Sequence, residues 1–363
     1  MQEEAEQGNP RMIKVLLVDD SPIAIMLFKR MLAPAKDISV VGTAGNGKEA
    51  LDLIPRVDPA VICTDLHMPV MDGLQLTKEV MKKFPKPILV ASVSVLEGSQ
   101  NVFDLLDAGA VDIFQKPRGG TDTDYMSLAN AFQRRIRILA GVHVFRRFKR
   151  PVAAVEPLRM NAKNIRYKVV VIGASTGGPQ ALQQILSHLP ADFPIPVICV
   201  QHIENGFLGG FIDWLQATVP MKASIAVDGE VPQAGRVYFP PEQTHLVIDE
   251  RGRLRCTNEG PFDGHRPSIT VTFKSAAERF GNCAIGVILT GMGRDGASGM
   301  KAISEAGGAT IAQNEESSVV FSMPRHAIEI GAAGLVLPID QIPAAIITQA
   351  KTKIRAEQAH EKP

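Results

Sequence analysis

The chain has 363 residues, about twice the ~100–200 residues of one ordinary domain, which excludes a single small domain. Hydrophobic residues make up 45% and charged residues 21%, enough apolar material for buried cores and too little polarity for a mostly disordered chain. The 39 basic side chains nearly cancel 38 acidic ones, for a formal charge of +1, so no global field selects nucleic acid or an anionic membrane.

The first ten residues, MQEEAEQGNP, lack the basic and apolar regions of a leader, and no apolar run approaches the ~18 residues of a membrane span. A cytoplasmic protein without membrane insertion is expected. Cys63, Cys199, Cys256 and Cys283 lie far apart with no CxxC pair and read as reduced thiols.

From Lys14 to Lys116, apolar runs alternate with helical patterns. VLLV precedes Pro22 to Leu32, ISVVGTA precedes Lys48 to Ile54, and AVICT precedes Leu74 to Phe84; PILVAS precedes Val102 to Leu106, and VDIF closes the series. Aliphatic and β-branched runs without polar alternation mark strands covered on both faces. The expectation is an α/β, doubly wound (βα)5 domain over residues 12–139, closed by a helix from Tyr125 to Leu139.

Three carboxylates stand at strand ends in this region: Asp19 and Asp20 after VLLV, and Asp65 after AVICT. In an open parallel sheet such ends converge on one crevice. Converging acids demand a cation, and oxygen donors in low number favour Mg²⁺, which also accepts phosphoryl oxygens. Ser92 ends the fourth run and Lys116 follows the fifth, supplying a hydroxyl and a positive charge for a phosphoryl group.

The motifs DDSP, TDLHMPVMDG, LVAS and QKP resemble the receiver domain of two-component response regulators. The resemblance implies Asp65 as phosphoacceptor, Asp19, Asp20 and Asp65 as Mg²⁺ ligands, and Ser92 and Lys116 as the residues that sense the phosphoryl group. It also implies a sensor histidine kinase as phosphodonor. His67 replaces the acidic or aliphatic residue often found two positions after the phosphoacceptor.

Between Gln133 and Lys168 there are eleven Lys or Arg against one acid, Glu156. Residues 140–166 read as a basic, Pro-containing linker, either a solvated tether or a contact for an acidic partner. A DNA-binding output has no support beyond this charge, because no helix-turn-helix pattern follows.

A second α/β pattern with a mostly parallel sheet is expected over residues 167–354. It runs KVVVIG, a helix from Pro179 to His188, PVICV, a helix from Phe207 to Thr218, and short strand-like pieces to Cys256. A helix from Ile269 to Phe280, AIGVILT, a helix from Ala297 to Glu305, GATIAQ and a helical tail after Pro343 follow. VVVIGASTGG places Ser175 at a strand-to-helix turn in a G-x-S-x-G arrangement. A phosphate-binding loop or a plain Gly-rich turn has the same signature. Partners decide between them. His202 follows PVICVQ, and Asp295 follows AIGVILT within TGMGRDG, before the helix at Ala297. Three polar residues at the ends of buried strands suit a nucleophile, its base and the acid that orients the base. Near that helix N-terminus Asp295 is expected to stay ionised.

GASTGG, QHI, HRPSIT, VILTGMGRDGASGM and AQNEESSVVFSMPRHAI together resemble the catalytic domain of chemotaxis-type protein-glutamate methylesterases, the CheB family. The resemblance implies hydrolysis of glutamyl methyl esters on methylated chemoreceptors, possible deamidation of receptor glutamines, and no cofactor in the catalytic domain. It puts Ser175, His202 and Asp295 on the triad and the N–H groups of Thr176 and Met292 in the oxyanion hole. It also implies that the unphosphorylated receiver restrains the catalytic domain. Two departures, IENGFLGG after His202 and Thr270 where the family commonly has Asp, fall outside the triad and point to an altered choice of receptor. His245, His265 and Arg266 lie in loops and are either structural or substrate-contacting. A phosphate sink with an inactive C-terminal domain is the alternative function.

Overall fold

The structure, a computed structural model, describes residues 12–92, 99–117, 122–142 and 167–351. Two compact units divide the chain, Met1–Lys149 and Arg150–Pro363. From residue 143 onward the expected basic linker lies outside the described residues, as do residues 352–354.

The first unit runs β1 (Ile13–Val18), α1 (Pro22–Leu32), β2 (Ile38–Ala44), α2 (Gly47–Val57), β3 (Val61–Asp65), α3 (Gly73–Lys83), β4 (Ile88–Ser92), α4 (Ser99–Ala108), β5 (Asp112–Gln115) and α5 (Asp122–Ala140). The five strands form one parallel sheet in the order β2-β1-β3-β4-β5. That order reverses direction at β1, so the crevice opens at the carboxyl ends of β1 and β3. Helix starts are set by local chemistry. Ser21 caps α1 ahead of Pro22, and Asp72 and Gln75 close a reciprocal capping box on α3.

The second unit runs β6 (Val169–Ala174), α6 (Gly178–Leu186), β7 (Val197–Gln201), α7 (Leu208–Gln216), β8 (Lys222–Ile225), β9 (Arg236–Phe239), β10 (His245–Ile248) and β11 (Leu254–Thr257). It continues through α8 (Ile269–Phe280), β12 (Ala284–Ile288), α9 (Ala297–Glu305), β13 (Ala309–Gln313), α10 (Met323–Glu329), β14 (Leu335–Leu337) and α11 (Ile342–Ala350). Seven parallel strands lie in the order β14-β13-β12-β6-β7-β9-β8. Every residue of β6, β7 and β12 is buried, which is why their sequences show no polar alternation. From β6 the chain builds outward through β7 in one direction, then returns to lay β12 on the other side of β6. The switch point therefore falls between β6 and β12.

Four elements depart from the sequence reading. β10 and β11 pair as a separate antiparallel hairpin, and α10 and β14 were not anticipated. β14 is three residues long and half exposed, too short for a period to register.

Close backbone approach fixes one glycine beside the receiver crevice. A Cβ on Gly73 would lie 2.2 Å from the Asp65 carbonyl oxygen, a backbone atom that cannot swing aside. G73A is expected to lower the unfolding free energy of the chain by about 2–3 kcal/mol, the usual cost of overpacking. Urea titration of wild type and G73A checks this; matching midpoints would refute it.

Candidate functional site

In the first unit the topology gathers all five expected residues. Asp19 and Asp20 follow β1, Asp65 ends β3, Ser92 ends β4, and Lys116 follows β5 with its N–H donating to the Ser92 carbonyl at 2.7 Å. The Lys116 ammonium contacts Asp19 Oδ2 at 2.6 Å and Asp65 Oδ1 at 2.9 Å. Asp65 Oδ1 also accepts the Leu66 N–H at 2.8 Å, whereas among the described residues no donor meets Oδ2. Burial raises the Asp65 carboxyl above its ordinary range, and the Lys116 charge and the Leu66 N–H do not cancel that cost.

One oxygen from each of Asp19, Asp20 and Asp65 lies within 4.8 Å of the others. Opposite ligands of an octahedral Mg²⁺ stand about 4.2 Å apart. The buried Asp19 Oδ2 meets the ammonium as an ion pair but accepts no aligned hydrogen bond, so it retains capacity for a cation. Oxygen-only donors, their spacing and this spare lone pair fit a small hard divalent ion.

In the second unit Ser175 stands immediately after β6, and His202 immediately after β7. The strand register pairs Ala174 with Gln201. Side by side at the sheet rim, the two residues are further clamped by one amide: Gln201 Nε2 donates to the Ser175 carbonyl at 2.9 Å and to the His202 carbonyl at 2.8 Å. The clamp requires Gly178, because a Cβ there would sit 2.0 Å from Gln201 Oε1. The turn itself uses Gly177 at φ +75°, a left-handed conformation that favours glycine.

Asp295 comes from the loop after β12, across the switch point. Its carboxylate accepts five hydrogen bonds. Oδ1 takes Ser268 Oγ at 2.8 Å, Thr270 N at 3.0 Å and Gly296 N at 2.9 Å; Oδ2 takes Ile269 N at 2.8 Å and His202 Nε2 at 2.9 Å. Burial pushes the Asp295 carboxyl upward, but the His202 hydrogen bond, its charge and the Thr270 and Ile269 N–H groups outweigh burial and hold it far below the carboxylate range. Two helix starts stabilise this carboxylate: α9, named in the sequence reading, through the Gly296 N–H at its cap, and the first turn of α8, which that reading did not include. Two further features escaped that reading. Ser268 and Gln201 lie inside the motifs HRPSIT and QHI but carry no role there, and only the fold brings them to the site. Thr270 touches Asp295: beyond its N–H, its hydroxyl accepts Gly296 N at 2.7 Å. The departure from the family pattern at this position therefore lies against Asp295.

His202 Nδ1 is buried and has no hydrogen-bond partner, and Ser175 Oγ makes no hydrogen bond to the imidazole in this conformation. Gly291 packs so tightly on the nucleophile that a Cβ there would lie 2.7 Å from Ser175 Cβ, which brings the Met292 backbone beside Ser175. Among the described residues, no protein acceptor takes the Met292 N–H. His245 is fully engaged by backbone, accepting Ser268 N at Nδ1 and meeting the Gly260 carbonyl through Nε2, each at 3.1 Å. Arg266 reaches the Asn258 and Glu259 carbonyls and Gln243 Oε1 at 3.3 to 3.5 Å. The His265 ring lies flat on that of His202, with centroids 4.1 Å apart.

Comparison with known proteins decides the family. The family model "CheB methylesterase" matches residues 170–346, and "Response regulator receiver domain" matches residues 15–123. A protein-glutamate methylesterase/protein-glutamine glutaminase of Nitrosospira multiformis is 38% identical over 341 residues, covering 92% of this chain and 96% of its own. The chain belongs to the CheB family. A namesake from Anaeromyxobacter dehalogenans is 42% identical over 342 residues, covering 93% of this chain and 97% of its own. The crystal structure of the Thermotoga maritima CheB methylesterase catalytic domain is 39% identical and covers 50% of this chain and 98% of that one, with a TM-score of 0.49. No described helix is long and apolar enough to cross a membrane.

Because the folded Asp295 carboxyl is held below its unfolded value near 4, its contribution to stability is complete above that pH and is lost as pH falls. D295N presents an amide nitrogen to at least one donor and should cost about 2–4 kcal/mol at neutral pH. Urea unfolding of wild type and D295N from about pH 7 down to about pH 3 should show that gap shrinking below about pH 4. A gap that widens on acidification contradicts the assignment.

Proposed function

We propose that this protein is a phosphorylation-gated serine hydrolase that converts glutamyl methyl esters on chemoreceptors to glutamate and deamidates receptor glutamines by the same chemistry, in the cytoplasm. Residues 12–139 form the regulatory input, 140–166 the connector and 167–354 the catalytic unit. The observation that carries the reading is the His202–Asp295 pair at 2.9 Å, with Nδ1 left unpartnered beside a strand-end serine.

Ser175 Oγ attacks the side-chain carbonyl while its proton passes to His202 Nδ1. The nitrogen facing the acid is Nε2, so it carries the resident proton. Asp295, held ionised at neutral pH, stabilises the imidazolium. The N–H groups of Thr176 and Met292 receive the developing oxyanion, an interaction worth about 3–4 kcal/mol in such sites. Collapse breaks the bond to methoxide, which leaves as methanol with the proton from Nδ1. Water then attacks the acyl-enzyme, gives its proton to His202, and releases glutamate and free Ser175. With a carboxamide the leaving group departs as ammonia along the same route.

In the input unit, Asp65 Oδ2 is the oxygen with no protein partner and takes the phosphoryl group from a sensor kinase. Asp19, Asp20 and Asp65 would hold Mg²⁺, which supplies neutralising charge for the phosphoryl oxygens. Lys116 and the Ser92 hydroxyl then bind the new dianion, drawing Lys116 from its present carboxylate partners and reordering the strand ends.

Two assays test the reading on purified chain with methylated receptor. Methanol release should fall at least about 10⁴-fold in S175A, and equal release from wild type and S175A would sink the hydrolase. A small phosphodonor with Mg²⁺ should raise wild-type turnover by about tenfold or more and leave D65N unstimulated. Equal stimulation of D65N would remove Asp65 from the switch.

A further inference from the structure

We propose that His265 is a positioning residue for the catalytic base. Its imidazole face holds the His202 ring at the one orientation that gives Nε2 to Asp295 and Nδ1 to Ser175. The inference rests on the hydrolase reading and names a further part of the same site.

The His202 ring is fixed at one edge atom only. Nε2 donates to Asp295 Oδ2 at 2.9 Å, while Nδ1, on the working edge, has no partner. A ring held by one hydrogen bond can swing about it, and each swing carries Nδ1 away from the serine. The second constraint is a face contact. The rings of His202 and His265 are stacked with centroids 4.1 Å apart and planes 6° from parallel. Swinging His202 out of plane would break that contact, so the stack restrains the motion that the hydrogen bond leaves open.

His265 is placed there by a hairpin built for the purpose. Phe262 and His265 pair through reciprocal backbone bonds, Phe262 N to the His265 carbonyl at 3.1 Å and the reverse at 3.0 Å. The two residues between them, Asp263 at φ +49° and Gly264 at φ +80°, have the Asp-Gly signature of a type I′ turn. Each side of the turn is anchored to the site. Asp263 meets Arg294, the neighbour of Asp295, at 3.5 Å, and Phe262 lies under the Lys274 ammonium of α8 at 5.2 Å. Three residues beyond His265, the Ser268 hydroxyl donates to Asp295. The hairpin itself closes through backbone atoms.

The test uses the full chain with acetyl phosphate, Mg²⁺ and a methylated receptor fragment. H265A and H265L should lose about 10–100-fold in kcat with KM within about twofold of wild type. H265F, which restores a flat ring without a titrating nitrogen, should stay within about threefold of wild type. Wild-type kcat in H265A, a loss confined to KM, or H265F falling as far as H265A would each overturn the proposal. A second readout needs no substrate. In ¹⁵N-histidine spectra His202 should hold the Nε2–H tautomer in wild type and H265F and drift to a mixture in H265A; an unchanged H265A spectrum also overturns it. If the spectra move as expected but wild type releases no methanol, the methylesterase reading fails and the positioning role stands.

Discussion

The catalytic unit depends on keeping one carboxylate charged in a place without water. Asp295 is buried, and an unpaired buried carboxylate would protonate or unfold its surroundings. Five donors prevent this, and they arrive from three parts of the chain: the cap and first turn of α8, the cap of α9, and His202 after β7. The atoms that knot this part of the fold together are therefore the ones to which the proposed mechanism gives the orienting acid. Any movement of α8 against β12 would shift the Asp295 carboxylate and, through Nε2, the His202 ring.

The switch-point topology explains why three residues 120 positions apart from first to last can meet. Parallel register puts the end of β6 beside the end of β7, and the return of the chain to lay β12 on the far side of β6 brings the third loop to the same rim. Nothing else in the fold needs to be special for Ser175, His202 and Asp295 to share a crevice.

How much of this was readable in advance follows from how local each signal is. The strands were legible because full burial on both faces writes itself as unbroken runs such as VVVIG and AIGVI. Residues at the ends of those runs could be named for the same reason, including Asp19, Asp65, Ser175 and His202. The bonding of Asp295 could not be read, because its partners Ser268, Ile269 and Thr270 belong to a helix that precedes it by more than twenty residues. Adjacency in sequence points to α9, whose cap Gly296 does donate; adjacency in space adds α8. His265 was hidden differently. The Asp-Gly turn before it is a visible hairpin signal, but which ring the hairpin covers is a tertiary fact.

The two units place acids at the same kind of strand end and treat them oppositely, and the difference follows from what each acid must do. Around Asp295 the donors are backbone and hydroxyl dipoles plus one imidazole, and together they hold the carboxyl ionised at neutral pH. Around Asp65 the principal partner is the Lys116 ammonium, shared with Asp19; among the described residues no donor meets the second carboxylate oxygen, and burial works against the charge. On the proposed reading, such an arrangement suits a carboxylate that is to form an acyl phosphate. The phosphoryl dianion adds negative charge to the cluster and gives Lys116 a stronger partner than the carboxylates it now bridges. The switch is then the transfer of Lys116 to that dianion, with the strand ends it joins moving with it.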